Sequence, residues 1–209
     1  MQTIAFATQK GGSGKSTLSI GIAVAAMQAG EHVFMLETDR QGTVSNWGLR
    51  RANPEPAIDR VANSAELEQA LKLLQASGYT FAVIDSPGTT SVVATAAIRA
   101  ADLCLIPARP SPADIEAAIP TVSSIRSLDK PFAFVLNQAP ARSYFRMNEA
   151  TSALNMLGAL ARPFIVQRNE HQDALGAGLG VTEFAPDGKA AEEIRGLLQW
   201  VQKKLRAGG

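Results

Sequence analysis

Runs of Val, Ile, Leu and Phe with little polar alternation recur along the chain at residues 3–8, 32–36, 81–84, 103–106, 132–136 and 164–166. Unbroken apolar runs of this length suit strands covered on both faces, as in a parallel sheet. Between them lie longer segments whose apolar positions fall at helical spacing, over residues 16–29, 65–76, 92–100, 115–128, 145–157 and 190–205. Repeated strand–helix alternation predicts an α/β fold: a doubly wound, mostly parallel sheet with helices on both faces. Residues 53–56 (Asn-Pro-Glu-Pro) read as a surface loop, and residues 107–112, with three prolines, as a second break. Neither has the character of a linker, so one domain over residues 1–209 is expected.

Composition narrows the chemistry. Hydrophobic residues make up 46% of the chain and charged residues 19%, a globular balance. Cys104 is the single cysteine, which excludes a disulfide framework, a Cys-type zinc site and a Cys-ligated iron–sulfur cluster within one chain. The formal net charge is +1, so a nucleic-acid surface would have to be a local patch. No apolar run approaches the ~18 residues that span a bilayer, and the N-terminus lacks a basic region followed by a long apolar one. A cytoplasmic location is the expectation.

The strongest motif is Lys10-Gly11-Gly12-Ser13-Gly14-Lys15-Ser16-Thr17, which follows the first strand and opens a helix. Glycines let the backbone curl so that successive N–H groups point at phosphate oxygens, and the helix N-terminus adds its positive end. Lys15 is expected on the β- and γ-phosphates, the Ser16 hydroxyl on Mg²⁺, and Thr17 on the α-phosphate. A nucleotide's phosphate chain with Mg²⁺ is the implied ligand. Further along, Phe81-Ala82-Val83-Ile84-Asp85 is a strand ending in a carboxylate about 70 residues after the loop, placing Asp85 as a second Mg²⁺ holder through water.

One departure is informative. Gln9 stands where the first glycine of a general phosphate loop is expected, and Lys10 follows it. An extra lysine at the start of the loop resembles the deviant phosphate loop of the ParA/MinD family of ATPases, and the resemblance extends over essentially the whole chain. It implies that Lys10 reaches across a dimer interface to the partner's nucleotide. It also implies roles after the second strand, in Glu37-Thr38-Asp39-Arg40-Gln41-Gly42, where the family shows Asp-x-Asp-Pro-Gln-Gly. Asp39 matches the second aspartate, near the attacking water and the Mg²⁺ shell, where a carboxylate can orient water for in-line attack. Glu37 and Arg40 depart from the pattern. Ser86-Pro87-Gly88 resembles the second switch loop, with the Gly88 amide offered to the γ-phosphate. Asn137, at the end of the strand over residues 132–136, is the implied adenine contact. The proline-rich stretch 107–114 resembles a loop of small plasmid-type members near the base and the dimer face; its Asp114 is equally readable as a helix cap.

The resemblance implies an ATPase that dimerises on ATP, binds DNA without sequence preference, associates with the nucleoid, and hydrolyses slowly until a ParB-like or adaptor partner stimulates it. Plasmid or chromosome partition, or cargo positioning, would follow. Arg142 and Arg146, four residues apart and so expected on one helix face, are candidate DNA-phosphate contacts. Two rivals remain. A MinD-like division regulator would lay a basic amphipathic C-terminal helix on a membrane, whereas the stripe Ile194, Leu197, Leu198, Val201 and Leu205 suits a helix docked on the sheet; no membrane partner is expected. An amide synthase of the cobyrinic acid type would need a glutamine-hydrolysing cysteine, and Cys104 sits in an apolar strand. His32 and His171 are assigned no chemistry.

Overall fold

The computed structural model describes residues 1–142 and 144–207, without the side chains of residues 144–146. Seven parallel strands form one sheet in the order β3-β2-β4-β1-β5-β6-β7: β1 (Gln2–Phe6), β2 (Val33–Glu37), β3 (Ala57–Arg60), β4 (Phe81–Asp85), β5 (Leu103–Ala108), β6 (Phe132–Leu136) and β7 (Ala159–Leu160). The period-2 pleat sorts each strand's side chains between two apolar layers. Ile4, Phe6, Met35, Val83, Leu105 and Val135 face one layer, shared with α1 (Lys15–Gln28), α2 (Thr43–Arg50), α7 (Glu170–Gly176), α8 (Val181–Phe184) and α9 (Lys189–Ala207). Ala5, Leu36, Ile84, Ile106, Phe134 and Leu136 face the other, under α3 (Ser64–Ala76), α4 (Val92–Ala100), α5 (Pro112–Ser127) and α6 (Tyr144–Leu157). Helix α1 is buried from Leu18 through Ala26, because α9 and α8 cover the side that the sheet does not. That explains why its sequence is apolar all round rather than striped.

The α9 stripe does what a docked helix requires: Ile194, Leu197, Leu198 and Val201 are buried, and Leu205 is partly so. No described helix is long and apolar enough to cross a membrane.

Three expectations are corrected. The seventh strand lies at Ala159–Leu160, not over 164–166; the segment still tracks β6 through Ala161 N to Phe134 O and Ile165 N to Leu136 O, but Val166 makes only an isolated bridge to Ala139. Pro163 has no N–H to give a ladder, which interrupts regular pairing. The proline break is shorter than 107–112. Pro107 lies inside β5, which runs on to Ala108; its nitrogen faces β1 beyond the last pair, Phe6 with Leu105, so no ladder bond is lost. Helix α5 already starts at Pro112, capped by Ser111, whose Oγ accepts from the Asp114 amide. Arg142 is exposed in the turn before α6, so it shares no helix face with Arg146; the Arg146 side chain lies outside the described residues. Residues 53–56 form the expected loop, and α2 and β3, for which the sequence pattern gives no signal, flank it.

Candidate nucleotide site

Parallel strands bring their C-terminal ends to one edge, and the loops that follow β1, β2, β4 and β6 meet there. The phosphate loop between β1 and α1 uses positive φ at Gly12 (75°) and Gly14 (91°), which glycine adopts without a Cβ penalty. A Cβ at Gly14 would also collide with the Asn137 amide. That amide donates from Nδ2 to Ser13 O at 2.7 Å, and Gln138, itself at φ 52°, donates from Nε2 to Gly12 O at 3.2 Å. Two side-chain amides just after β6 thus hold two carbonyls of the loop, Ser13 O and Gly12 O. The family resemblance puts Asn137 on the base; in the structure its donor is engaged with the phosphate loop.

Ser16 and Asp85 do converge. Ser16 Oγ donates to Asp85 Oδ2 at 2.7 Å, across 69 residues of sequence. Burial pushes the Asp85 carboxyl up to about 6 against the pull of Ser16, Ser19 and Lys15. Lys15 is lowered, again chiefly by burial, with Asp85 and Asp39 acting the other way. Its Nζ donates to Lys10 O at 3.3 Å. Gly88 stands over the same point: a Cβ there would lie 3.2 Å from Lys15 Nζ and 3.6 Å from Gly11 N. A cationic side chain, loop amides at Gly11 and Gly12 that make no hydrogen bond among the described residues, and a hydroxyl–carboxylate pair of hard oxygens suit a triphosphate with Mg²⁺. Among the described residues no three His, Cys, Asp or Glu side chains cluster as a metal cage. A magnesium ion held by Ser16 and Asp85 would take its other ligands from phosphate and water, as Mg²⁺ ordinarily does.

Asp39 stands on the loop after β2, with its Oδ1 accepting from the Gln41 amide at 3.0 Å. It lines a cavity of about 690 Å³ with Arg40, Arg60, Asn63, Pro87 and Ser91. What fixes this loop is Glu37, the departure noted above. Its buried carboxylate accepts from Val44 N at 2.7 Å, Ser45 N at 3.1 Å and the Ser45 hydroxyl. The N-cap of α2, Gly42, has no side chain to offer, so Glu37 caps the helix from the end of β2. Arg60 Nε lies 3.8 Å from the same carboxylate. Glu37→Ala is expected to cost about 1–2 kcal/mol, the worth of a lost cap, read as a lower midpoint in urea; an unchanged midpoint would remove this account of α2.

Lys10 points away from its own loop. Its Nζ is 2.9 Å from Asp114 Oδ2 on α5, and Arg109 Nε is 3.1 Å from Asp114 Oδ1. Burial raises the Asp114 carboxyl, but Ser111, Lys10 and Arg109 outweigh it and leave it below its ordinary value. Sequence reasoning misses the Asp114 partnership because 104 positions separate the two residues; the local Ser-x-x-Asp signal announces only a cap.

The comparisons agree with this geometry. Residues 1–173 match the family described as VirC1 protein. The maintenance of carboxysome distribution protein A of Halothiobacillus neapolitanus is 30% identical over 95% of each chain, and the VirC1 protein of Rhizobium rhizogenes is 26% identical over 85% of this chain and 80% of its own. In fold, apo McdA of Cyanothece superposes with a TM-score of 0.81 at 18% identity, covering 98% of this chain and 99% of that one. A plasmid partition protein of Borrelia burgdorferi B31 bound to AMPPNP gives 0.80 at 16%, covering 97% and 99%. A deviant phosphate loop with its extra lysine, Lys10, turned outward, a strand-end carboxylate bonded to the loop serine, and relatives named for distribution and partition converge on one conclusion: the chain belongs to the ParA/MinD family of P-loop ATPases.

Proposed function

We propose that this chain binds ATP with Mg²⁺ at the phosphate loop, closes face to face with a second copy, and as a dimer holds DNA without sequence preference. Hydrolysis, stimulated by a ParB-like or adaptor partner, would dissolve the dimer and release DNA, a cycle that partitions plasmids or chromosomes or positions cargo on the nucleoid. The observation that carries this reading is the orientation of Lys10. Its ammonium serves no group of its own loop; to act on a nucleotide it must leave Asp114, and the γ-phosphate of a second copy's ATP supplies a competing anion. Lys15 neutralises phosphate within its own subunit, Ser16 and Asp85 hold Mg²⁺, Asp39 orients the attacking water, and the Gly88 amide senses the γ-phosphate. Asn137 steadies the loop through Ser13 while its side-chain oxygen remains for the base. Arg142 and Arg146 are retained as candidate DNA contacts. Relatives named for carboxysome distribution and chromosome partitioning favour cargo positioning as the purpose.

The test compares DNA binding with ATP, ADP and no nucleotide for the parent, Lys10→Ala and Lys15→Ala. Tight binding is expected only for the parent with ATP, and added salt should weaken it steeply. If Lys10→Ala dimerised and bound DNA like the parent, the exchange of a cation between copies would be wrong. If the parent dimerised on ATP yet left DNA free, the DNA step alone would fall.

A further inference from the structure

The phosphate loop accounts for Ser16, but one turn further along α1 a second hydroxyl reaches the same carboxylate. Ser19 has no solvent exposure, and its Oγ lies 3.0 Å from Asp85 Oδ1 and 2.9 Å from Lys15 O. Ser16 and Ser19 are three residues apart, so they share the face of α1 that looks at the end of β4. Each takes one oxygen of Asp85: Ser16 bonds Oδ2 and Ser19 bonds Oδ1. Among the described residues these are the two groups that donate to this carboxylate. A serine inside a helix ordinarily satisfies itself on the carbonyl four residues back, as Ser19 can with Lys15 O. It has a single proton to give, however, and an ionised carboxylate is a stronger acceptor than an amide carbonyl. The proton therefore goes to Asp85 whenever Asp85 is charged.

We infer that Ser19 is a positioning residue for Asp85: by holding Oδ1 it fixes the plane of the carboxylate and keeps Oδ2 turned toward Ser16 and the phosphate loop. A carboxylate at the end of a strand can rotate about its Cβ–Cγ bond, and with Ser16 alone the second oxygen would have no donor among the described residues to fix it. Fixing it before the ion arrives removes a reorganisation that Mg²⁺ binding would otherwise have to drive. This inference rests on the reading of the loop as an Mg²⁺-nucleotide site.

The experiment follows binding of a fluorescent ATP analogue against Mg²⁺ concentration, and separately in EDTA, for the parent, Ser19→Ala and Ser19→Cys. Cysteine fills the serine's volume but donates weakly, so it separates the hydrogen bond from the packing. For both variants the Mg²⁺ concentration at half-saturation should rise about tenfold, the worth of one charge-assisted hydrogen bond, while nucleotide affinity in EDTA stays at the parent's value. A purely structural serine would instead weaken binding equally with and without the ion, and that result would overturn the assignment. So would a cysteine variant with the parent's Mg²⁺ requirement. A parent whose nucleotide binding ignores Mg²⁺ would refute the site itself, a failure distinct from that of Ser19.

Discussion

Arg51→Ala is expected to lower stability by about 2–3 kcal/mol, because it removes the buried half of a partly buried ion pair together with its charge-assisted hydrogen bonds. Only 2% of the Arg51 side chain is exposed. Its guanidinium forks onto Glu183, with Nη1 and Nη2 each 2.7 Å from a carboxylate oxygen, and also donates to Glu55 O at 2.6 Å and Gly178 O at 3.2 Å. It lies 5.0 Å over the ring of Trp47, which is fully buried and bonds Leu179 O through Nε1 at 3.1 Å. The planar fork satisfies four acceptors at once, which lysine cannot do; Arg51→Lys should therefore recover only part of the loss. Burial pushes the Glu183 carboxyl up, but the Arg51 hydrogen bond, the Gly180 amide and the Arg51 charge outweigh it, and the net value is lowered. A lowered carboxyl contributes stability that is present above its unfolded value of 4.5 and lost as pH falls through the folded one. The parent should thus lose stability on acidification below about pH 4.5 more steeply than the variant does. Denaturant melts at neutral and acid pH read both effects, and matching midpoints at neutral pH would refute the clamp.

Removing the charge of Asp85 should have opposite effects on stability and binding. Its carboxyl rises from 3.8 to about 6 in the fold, so the folded chain keeps a proton that the unfolded chain has shed over that range. The sign follows from linkage: stability is greatest below the unfolded value, falls as pH climbs through this window, and levels off above about 6. A carboxyl raised this far carries a penalty of up to about 3 kcal/mol at pH 8. Asp85→Asn carries no charge to desolvate and should be more stable than the parent at pH 8, with the advantage shrinking at pH 4. The same variant should lose Mg²⁺-dependent nucleotide binding, because an amide is a poor magnesium partner beside Ser16. Chemical denaturation at the two pH values and a nucleotide titration with Mg²⁺ measure the two halves. A variant less stable than the parent at pH 8 would show that the two serines more than offset the burial of the carboxylate. A residue that lowers stability where a ligand is to be held is a familiar trade in binding and active sites.

The loop that carries Asp39 ties these regions together. Glu37 caps α2 from one end, and α2 is seated at the other through Trp47, Arg50 and Arg51 on residues 175–183. Nothing local in the sequence announces this arrangement. Helix α2 holds Asn46 and Gly48, weak helix formers, and its N-cap is a glycine without a capping side chain. The four residues of β3 end in exposed Asp59 and Arg60. Neither element shows in the sequence pattern, because the interactions that stabilise both come from residues distant in the chain.

By itself, the sequence determined the parallel α/β sheet, the order of its main elements, the phosphate loop and the strand-end carboxylate. Each of these depends on local terms: unbroken apolar runs, helical spacing, and glycine where backbone amides must face an anion. The apolar stripe of α9 was legible as a docked helix for the same reason. Only the tertiary structure decided where the charges go. It placed Lys10 on Asp114, Glu37 on the amides of α2, Asn137 on the phosphate loop and Ser19 on Asp85, and it moved β7 to Ala159–Leu160. A buried charge or donor must find a partner wherever the packed chain supplies one, and that partner's position in the sequence is set by the topology of the sheet.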